Sequence, residues 1–172
     1  MGRALKACFL LFAAMAAPVQ AGAADSGQST AVRAAKSVFI VRHFQKAEGA
    51  DPSLTAEGAA NAQRLAAALK DKGVRAIFAT ETKRAMESAA PLAKQLGLKV
   101  TAYDPANPAG LAAEVAAAGG PVLIVGHSNT VPDIVARFGG TPVALGEQDY
   151  GTVFVVKPGI AQVGQIVLKA AP

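Results

Sequence analysis

The sequence predicts a three-layer α/β/α sandwich built on a mostly parallel sheet with an antiparallel edge. Three observations carry that prediction. Short apolar, β-branched runs alternate with segments of helical period from position 37 to position 138, the pattern of strand–helix–strand units. Two of the strand runs, Ser37–Arg42 and Val122–Val125, lead into His43 and His127, the only two histidines in the chain. The last two runs, Thr152–Val156 and Gln162–Leu168, are joined by Lys157-Pro158-Gly159, a hairpin signal that supplies the antiparallel edge.

Taken in order, Ser37–Arg42 is the first strand, and a loop through Ser53 follows. Thr55 is placed to cap a helix with Glu57 in its first turn and an apolar face of Ala60, Leu65, Ala68 and Leu69. Lys72-Gly73 is the expected stop. Ala76–Ala79 is the second strand. Thr80 opens a helix to Leu96-Gly97 with Ala85, Ser88, Ala89, Leu92 and Leu96 as its inner stripe. Leu98–Thr101 is a short third strand. A turn-rich loop, Tyr103–Pro108, precedes an alanine-rich helix to about Ala118, and Val122–Val125 is the fourth strand. The last helix runs from Asn129 to Phe138 and stops at Gly139-Gly140. Such alternation implies crossovers that cover both faces of the sheet.

At 172 residues the chain holds one domain with a full core rather than two. The hydrophobic fraction of 52% is raised by alanine and by the N-terminal segment. That segment begins Met1-Gly2-Arg3-Ala4-Leu5-Lys6, continues in an apolar run from Ala7 to Ala17, and ends in small residues before Ala21. This is the layout of a secretory signal peptide over residues 1–21, and the run falls short of the ~20 residues that span a bilayer. Cleavage is expected after Ala21, with Ala23 as an alternative. Residues 22–36 read as a flexible lead, and residues 37–172 as the domain.

Cleavage would remove Cys8, the one cysteine, and with it any disulfide or thiolate chemistry. It would also remove Arg3 and Lys6, lowering the formal charge from +5 to +3. A mild positive balance suits a small anionic substrate. No basic cluster interleaved with aromatics points to nucleic acid. The expected location is secreted or periplasmic, with no membrane association after cleavage.

The chemistry sits at strand tips. In an open α/β sheet, ligands bind outside the carboxyl ends of the strands, where Arg42, His43 and His127 stand. Arg84 falls in the first turn of the helix after the second strand, at the same sheet edge, where helix N–H groups favour anions. Singly, each residue has a plain structural explanation. Together, two arginines and two histidines describe a site for a tetrahedral oxyanion, because guanidinium forks match phosphoryl oxygens. A neutral imidazole nitrogen there would attack phosphorus and form a phosphohistidine, dividing a difficult hydrolysis into two transfers. The cationic groups would stabilise the equatorial oxygens in the transition state. Two histidines could also serve a metal. However, a catalytic zinc takes three protein ligands, and no Asp or Glu shares the strand tips, so no metal and no cofactor is expected.

Four segments in order resemble the histidine phosphatase superfamily, the phosphoglycerate mutase-like proteins. They are Val41-Arg42-His43, Leu54-Thr55-Ala56-Glu57-Gly58, Thr80–Ala89 around Arg84, and Val125-Gly126-His127-Ser128-Asn129-Thr130. The resemblance spans nearly the whole domain. It implies that His43 is the phosphorylated nucleophile and that Arg42, Arg84 and His127 bind the phosphoryl group. It also implies a phosphatase rather than a mutase, because the chain is too short for the insertions of the mutases.

Two positions depart from the family pattern. Phe44 stands where glycine or alanine is common, and reads either as an aromatic wall at the pocket mouth or as packing beneath the loop. Gln45 stands where glutamate is common, removing a negative charge near the phosphate, while Lys46 adds a positive one to the rim. By the same resemblance Asp104 is the nearest equivalent of a proton donor, with Glu81 and Glu114 behind it. The function expected is metal-independent hydrolysis of a phosphate monoester through a phosphohistidine on His43. The alternatives are a non-catalytic anion binder of the same fold and a protein phosphohistidine phosphatase.

Overall fold

A computed structural model describes residues 37–169; the expected signal peptide (1–21) and lead (22–36) lie outside the described residues. The elements are β1 Val38–Arg42, α1 Ala56–Leu69, β2 Ala76–Ala79, α2 Lys83–Leu96, β3 Val100–Ala102, α3 Pro108–Ala117, β4 Val122–Gly126, α4 Val131–Arg137, β5 Thr152–Lys157 and β6 Ile160–Val167. The six strands form one sheet in the order β3-β2-β4-β1-β5-β6. β1 pairs with β4, β4 with β2 and β2 with β3, all in parallel, whereas β5 and β6 add on antiparallel. The expected architecture therefore stands.

Period-2 alternation along β1 divides the core. Phe39 and Val41 join the cluster under α1 and α2 with Leu65, Leu69, Ala89 and Leu92. Val38 and Ile40 join the opposite cluster under α3 and α4 with Leu111, Val115, Val135 and Phe138. A strand buried on both faces has no polar positions to spare, which explains its unbroken apolar run.

Boundaries moved by one to three residues for local reasons. Thr55 caps α1 as expected, its Oγ1 accepting from the Gly58 N–H at 3.1 Å. α2 begins only at Lys83, with Thr82 as N-cap, which places Arg84 firmly in the first turn. α4 starts at Val131 rather than Asn129, with Pro132 in its first turn, where the missing N–H removes no helix bond. β3 is Val100–Ala102 rather than Leu98–Thr101, since Gly97 ends α2 at φ +65° and Leu98 still bonds back to Ala93. β6 begins two residues early, at Ile160, so the hairpin turn is Pro158-Gly159, with Gly159 at φ +83°. No described helix is long and apolar enough to cross a membrane.

Candidate functional site

Sheet order assembles the site. Because β1 lies beside β4 in register Arg42↔Gly126, the next residues of the two strands, His43 and His127, become neighbours. The His43 N–H continues the ladder to the Gly126 carbonyl at 2.9 Å, and the two imidazoles meet edge to face with centroids 5.1 Å apart. β4 is flanked on its other side by β2, whose exit leads to α2 and Arg84. Arg84 Nη2 lies 2.9 Å from His127 Nε2. Gly126 itself has no room for a side chain, since a Cβ would fall 2.8 Å from Thr130 Oγ1 and 3.2 Å from the Tyr103 hydroxyl. Arg42, His43 and His127 at the strand tips and Arg84 in the first turn of α2 are thus brought together at one edge of the sheet.

Hydrogen-bond chemistry fixes the tautomers. His43 Nδ1 is 2.8 Å from the Phe44 carbonyl, which only accepts, so Nδ1 donates and carries the proton. In the neutral ring Nε2 then holds a lone pair. Arg84 only donates, so His127 Nε2 accepts from it and His127 carries its proton on Nδ1. Burial, opposed by the bond to the Phe44 carbonyl and reinforced by the charges of His127, Arg84 and Arg42, lowers the pKa of His43 from 6.5 to about 4. Burial, then Arg84 and Arg42, also lowers that of His127. Both rings are accordingly neutral near pH 7.

The arginines supply the charge. Arg42 is 3% exposed. Its Nη1 donates to the Gly146 carbonyl at 2.7 Å, and its Nη2 to Glu147 Oε2 at 3.0 Å and to the Tyr150 hydroxyl at 3.3 Å. The Tyr150 ring centroid lies 4.3 Å from Arg42 Cζ. Arg84 Nη1 lies 3.7 Å from Asp51 Oδ1. The Nε of each arginine is buried without an acceptor among the described residues, leaving each guanidinium a spare donor. Two guanidiniums, two imidazoles and a helix N-terminus make a pocket suited to an oxyanion.

The remaining candidates fall elsewhere. Asp104 is bound into its own turn, Oδ1 accepting from the Ala106 N–H at 2.8 Å, and it borders a separate cavity of about 540 Å³ lined by Tyr103, Leu111 and Ile134. Glu81 is exposed ahead of α2 and Glu114 is exposed on α3. None of the three is hydrogen-bonded to a pocket side chain. Phe44 is fully buried in the α1/α2 core, so of its two readings packing beneath the loop is the one observed and the aromatic wall is not. Gln45 is turned to α1, donating to Glu57 Oε1 at 3.0 Å and accepting from Asn61 Nδ2 at 2.9 Å, rather than to the anion. Lys46 is exposed at the loop and bridges Leu54.

Ser88, Glu147 and Tyr150 were not among the expected site residues, and Ser128 entered only as part of the segment around His127. Ser88, taken only as a stripe residue of α2, accepts from the Phe44 N–H at 3.1 Å and donates to the Arg84 carbonyl at 2.7 Å, tying the His43 turn to the Arg84 helix. Ser128 donates to Glu147 Oε1 rather than capping α4. A buried serine inside an otherwise alanine and leucine stripe was the available signal for Ser88. Glu147 and Tyr150 sit in an irregular connection with no such signal.

The fold and site define a class: an α/β/α sandwich whose parallel strands present paired histidines, backed by arginines, at their carboxyl ends. Residues 32–105 match the family model of the histidine phosphatase superfamily (branch 1). Solved structures of the same fold include the protein histidine phosphatase SixA complexed with tungstate. That likeness has TM-score 0.61 and 19% identity over 76% of this chain and 96% of that one. The alpha-ribazole phosphatase from Shigella flexneri follows at TM-score 0.59 and 16% identity, covering 78% of this chain and 96% of that one. A mycobacterial glucosyl-3-phosphoglycerate phosphatase gives 0.57 and 14%, covering 79% and 99%. At these identities the likeness is one of fold. No curated protein sequence matches the chain.

Proposed function

We propose that the protein is a metal-independent phosphatase that hydrolyses a small phosphate monoester through a phosphohistidine on His43. The observation that carries this reading is the His43 Nδ1 bond to the Phe44 carbonyl, which leaves Nε2 unprotonated among cationic groups. In the first step Nε2 attacks phosphorus, the ester P–O bond breaks, and the leaving oxygen takes a proton. In the second, water attacks the phosphohistidine, the P–N bond breaks, and the electron pair returns to Nε2. Arg42 and Arg84 supply the positive charge that a Lewis acid would otherwise provide on the equatorial oxygens. A bound dianion raises the proton affinity of His127, so that ring turns from acceptor to donor as charge builds on the phosphoryl group. The chain's likeness of fold to the protein histidine phosphatase SixA keeps a protein phosphohistidine within the substrates to be assayed. The signal-peptide layout of residues 1–21 supports a location outside the cytoplasm.

Hydrolysis of 4-nitrophenyl phosphate in the presence of a chelator, beside the His43→Ala variant, tests the proposal. Turnover by the wild type and its loss in the variant are expected. Equal turnover in both, or activity abolished by the chelator, would overturn it.

A further inference from the structure

The connection between α4 and β5 closes on Arg42 with three of its groups, the Gly146 carbonyl, the Glu147 carboxylate and the Tyr150 hydroxyl. Arg42 is almost wholly buried, its side chain 4% exposed, whereas the Glu147 side chain is 77% exposed. A buried guanidinium requires an anionic partner, and here that partner is a carboxylate standing at the pocket rim. Its second oxygen accepts from Ser128 Oγ in the turn after His127, so Glu147 spans the two strand tips that carry the histidines. Asp149 holds the turn, its Oδ2 accepting from the Gly146 N–H at 2.7 Å.

At rest both donors of Arg42 Nη2 are taken by the connection, which leaves only Nε and one hydrogen of Nη1 for a phosphoryl group. A phosphoryl group reaching Nη2 must replace the carboxylate there. The displaced carboxylate remains tethered by Ser128 Oγ, with its side chain 77% exposed to solvent. Two other carboxylates stand nearby among the described residues: Asp149 is bound to the Gly146 N–H, and Asp51 Oδ1 accepts from the Lys83 N–H at 2.9 Å and lies 3.7 Å from Arg84 Nη1.

We propose that Glu147 is the resting counter-ion of Arg42 and, once a phosphoryl oxygen replaces it on the guanidinium, the acid that protonates the leaving-group oxygen. The inference rests on the reading of His43 as a phosphoryl-accepting nucleophile. At rest the Ser128 hydroxyl and the Arg42 charge hold the Glu147 carboxyl below the usual carboxylate range, so it is ionised. Displacement removes the Arg42 influence and sets a phosphoryl anion beside the carboxylate, which raises its proton affinity although the Ser128 hydroxyl remains bound to it. The proton comes from the monoester monoanion or from solvent. As the His43 Nε2–P bond forms and the P–O bond breaks, Glu147 gives this proton to the leaving oxygen. The resulting carboxylate then takes a proton from the water that attacks the phosphohistidine, and releases it to solvent when it pairs again with Arg42. The charged and titratable groups facing Glu147 in this cycle are Arg42 on β1, His43 and His127 at the strand tips, and Asp149 in its own turn.

The test is Glu147→Gln in the full protein, with two readouts that move in opposite directions. Calorimetric binding of inorganic phosphate should tighten about 1.4- to fivefold, because a competing ion pair exposed on its Glu147 side is worth ~0.2–1 kcal/mol. The kcat/KM for an alkyl phosphate, which needs a proton on its leaving oxygen, should fall ~100-fold or more relative to that for 2,4-dinitrophenyl phosphate, which does not. The basic limb of the pH profile for the alkyl ester should disappear with it. Weaker phosphate binding would show that the carboxylate organises Arg42 instead of competing with the anion. An equal loss on both esters would remove the acid role. Either result overturns the proposal, and a wild type that hydrolyses neither ester overturns the phosphatase reading together with it.

Discussion

Protonating His43 should cost the fold stability, by an amount that the site itself sets. The folded-state pKa of His43 lies near 4 against 6.5 in an unfolded chain, and the residue is 3% exposed, so solvent screens little of the shift. Between those two pH values the unfolded chain binds a proton that the folded one refuses. Stability therefore rises with pH across that window, is complete above about 6.5, and is lost as pH falls through about 4. At roughly 1.4 kcal/mol per pKa unit, the His43 contribution is about 3 kcal/mol. His127, also depressed, adds in the same direction. The His43→Asn variant isolates the first part, because its amide nitrogen can take the place of Nδ1 and keep the donation to the Phe44 carbonyl. Urea unfolding of both proteins at pH 7, 5.5 and 4 is the assay. The wild type should lose about 3 kcal/mol more than His43→Asn between pH 7 and pH 4. Parallel loss in the two proteins would refute both the burial of a neutral imidazole and the reason given for its nucleophilicity.

Ser88→Ala should leave the Phe44 N–H buried without its acceptor, costing about 1–3 kcal/mol and lowering Tm by about 4–12 °C. Scanning calorimetry checks it, and an unchanged Tm would show that the N–H finds another partner. Gly58→Ala should place a Cβ 2.1 Å from the Gln45 carbonyl, which also accepts from the Thr55 N–H at 2.9 Å. The turn after His43 must then shift, so unfolding free energy should drop by about 1–3 kcal/mol and kcat should fall with it. Denaturant titration alongside steady-state kinetics would detect a variant that keeps either property.

The legibility of this site in the sequence followed from how local each cause was. Strand runs, the Thr55 cap and the glycine stops depend on neighbours in sequence, so the sheet, its antiparallel edge and the four strand-tip residues were all readable. Phe44 shows the first limit. Alternation along β1 would send positions 41 and 44 to opposite faces, yet both join the same core cluster, because the strand ends at Arg42 and the chain turns. Glu147 shows the second. Its meaning depends on residues about a hundred positions away, and the connection that carries it has no period, cap or motif. Asp104 shows the third. A carboxylate at a suitable place in sequence was free to satisfy its own turn, and only the fold decides between turn and pocket.

The proposed hydrolysis passes through a covalent bond between phosphorus and His43. Millisecond quenching of the wild type during turnover of 2,4-dinitrophenyl phosphate, followed by peptide mass analysis, measures it directly. One phosphoryl group is predicted on the peptide carrying His43, stable to base and lost in acid, and absent from His43→Asn. A phosphoryl group on another residue, or unimpaired turnover by His43→Asn, would contradict the account.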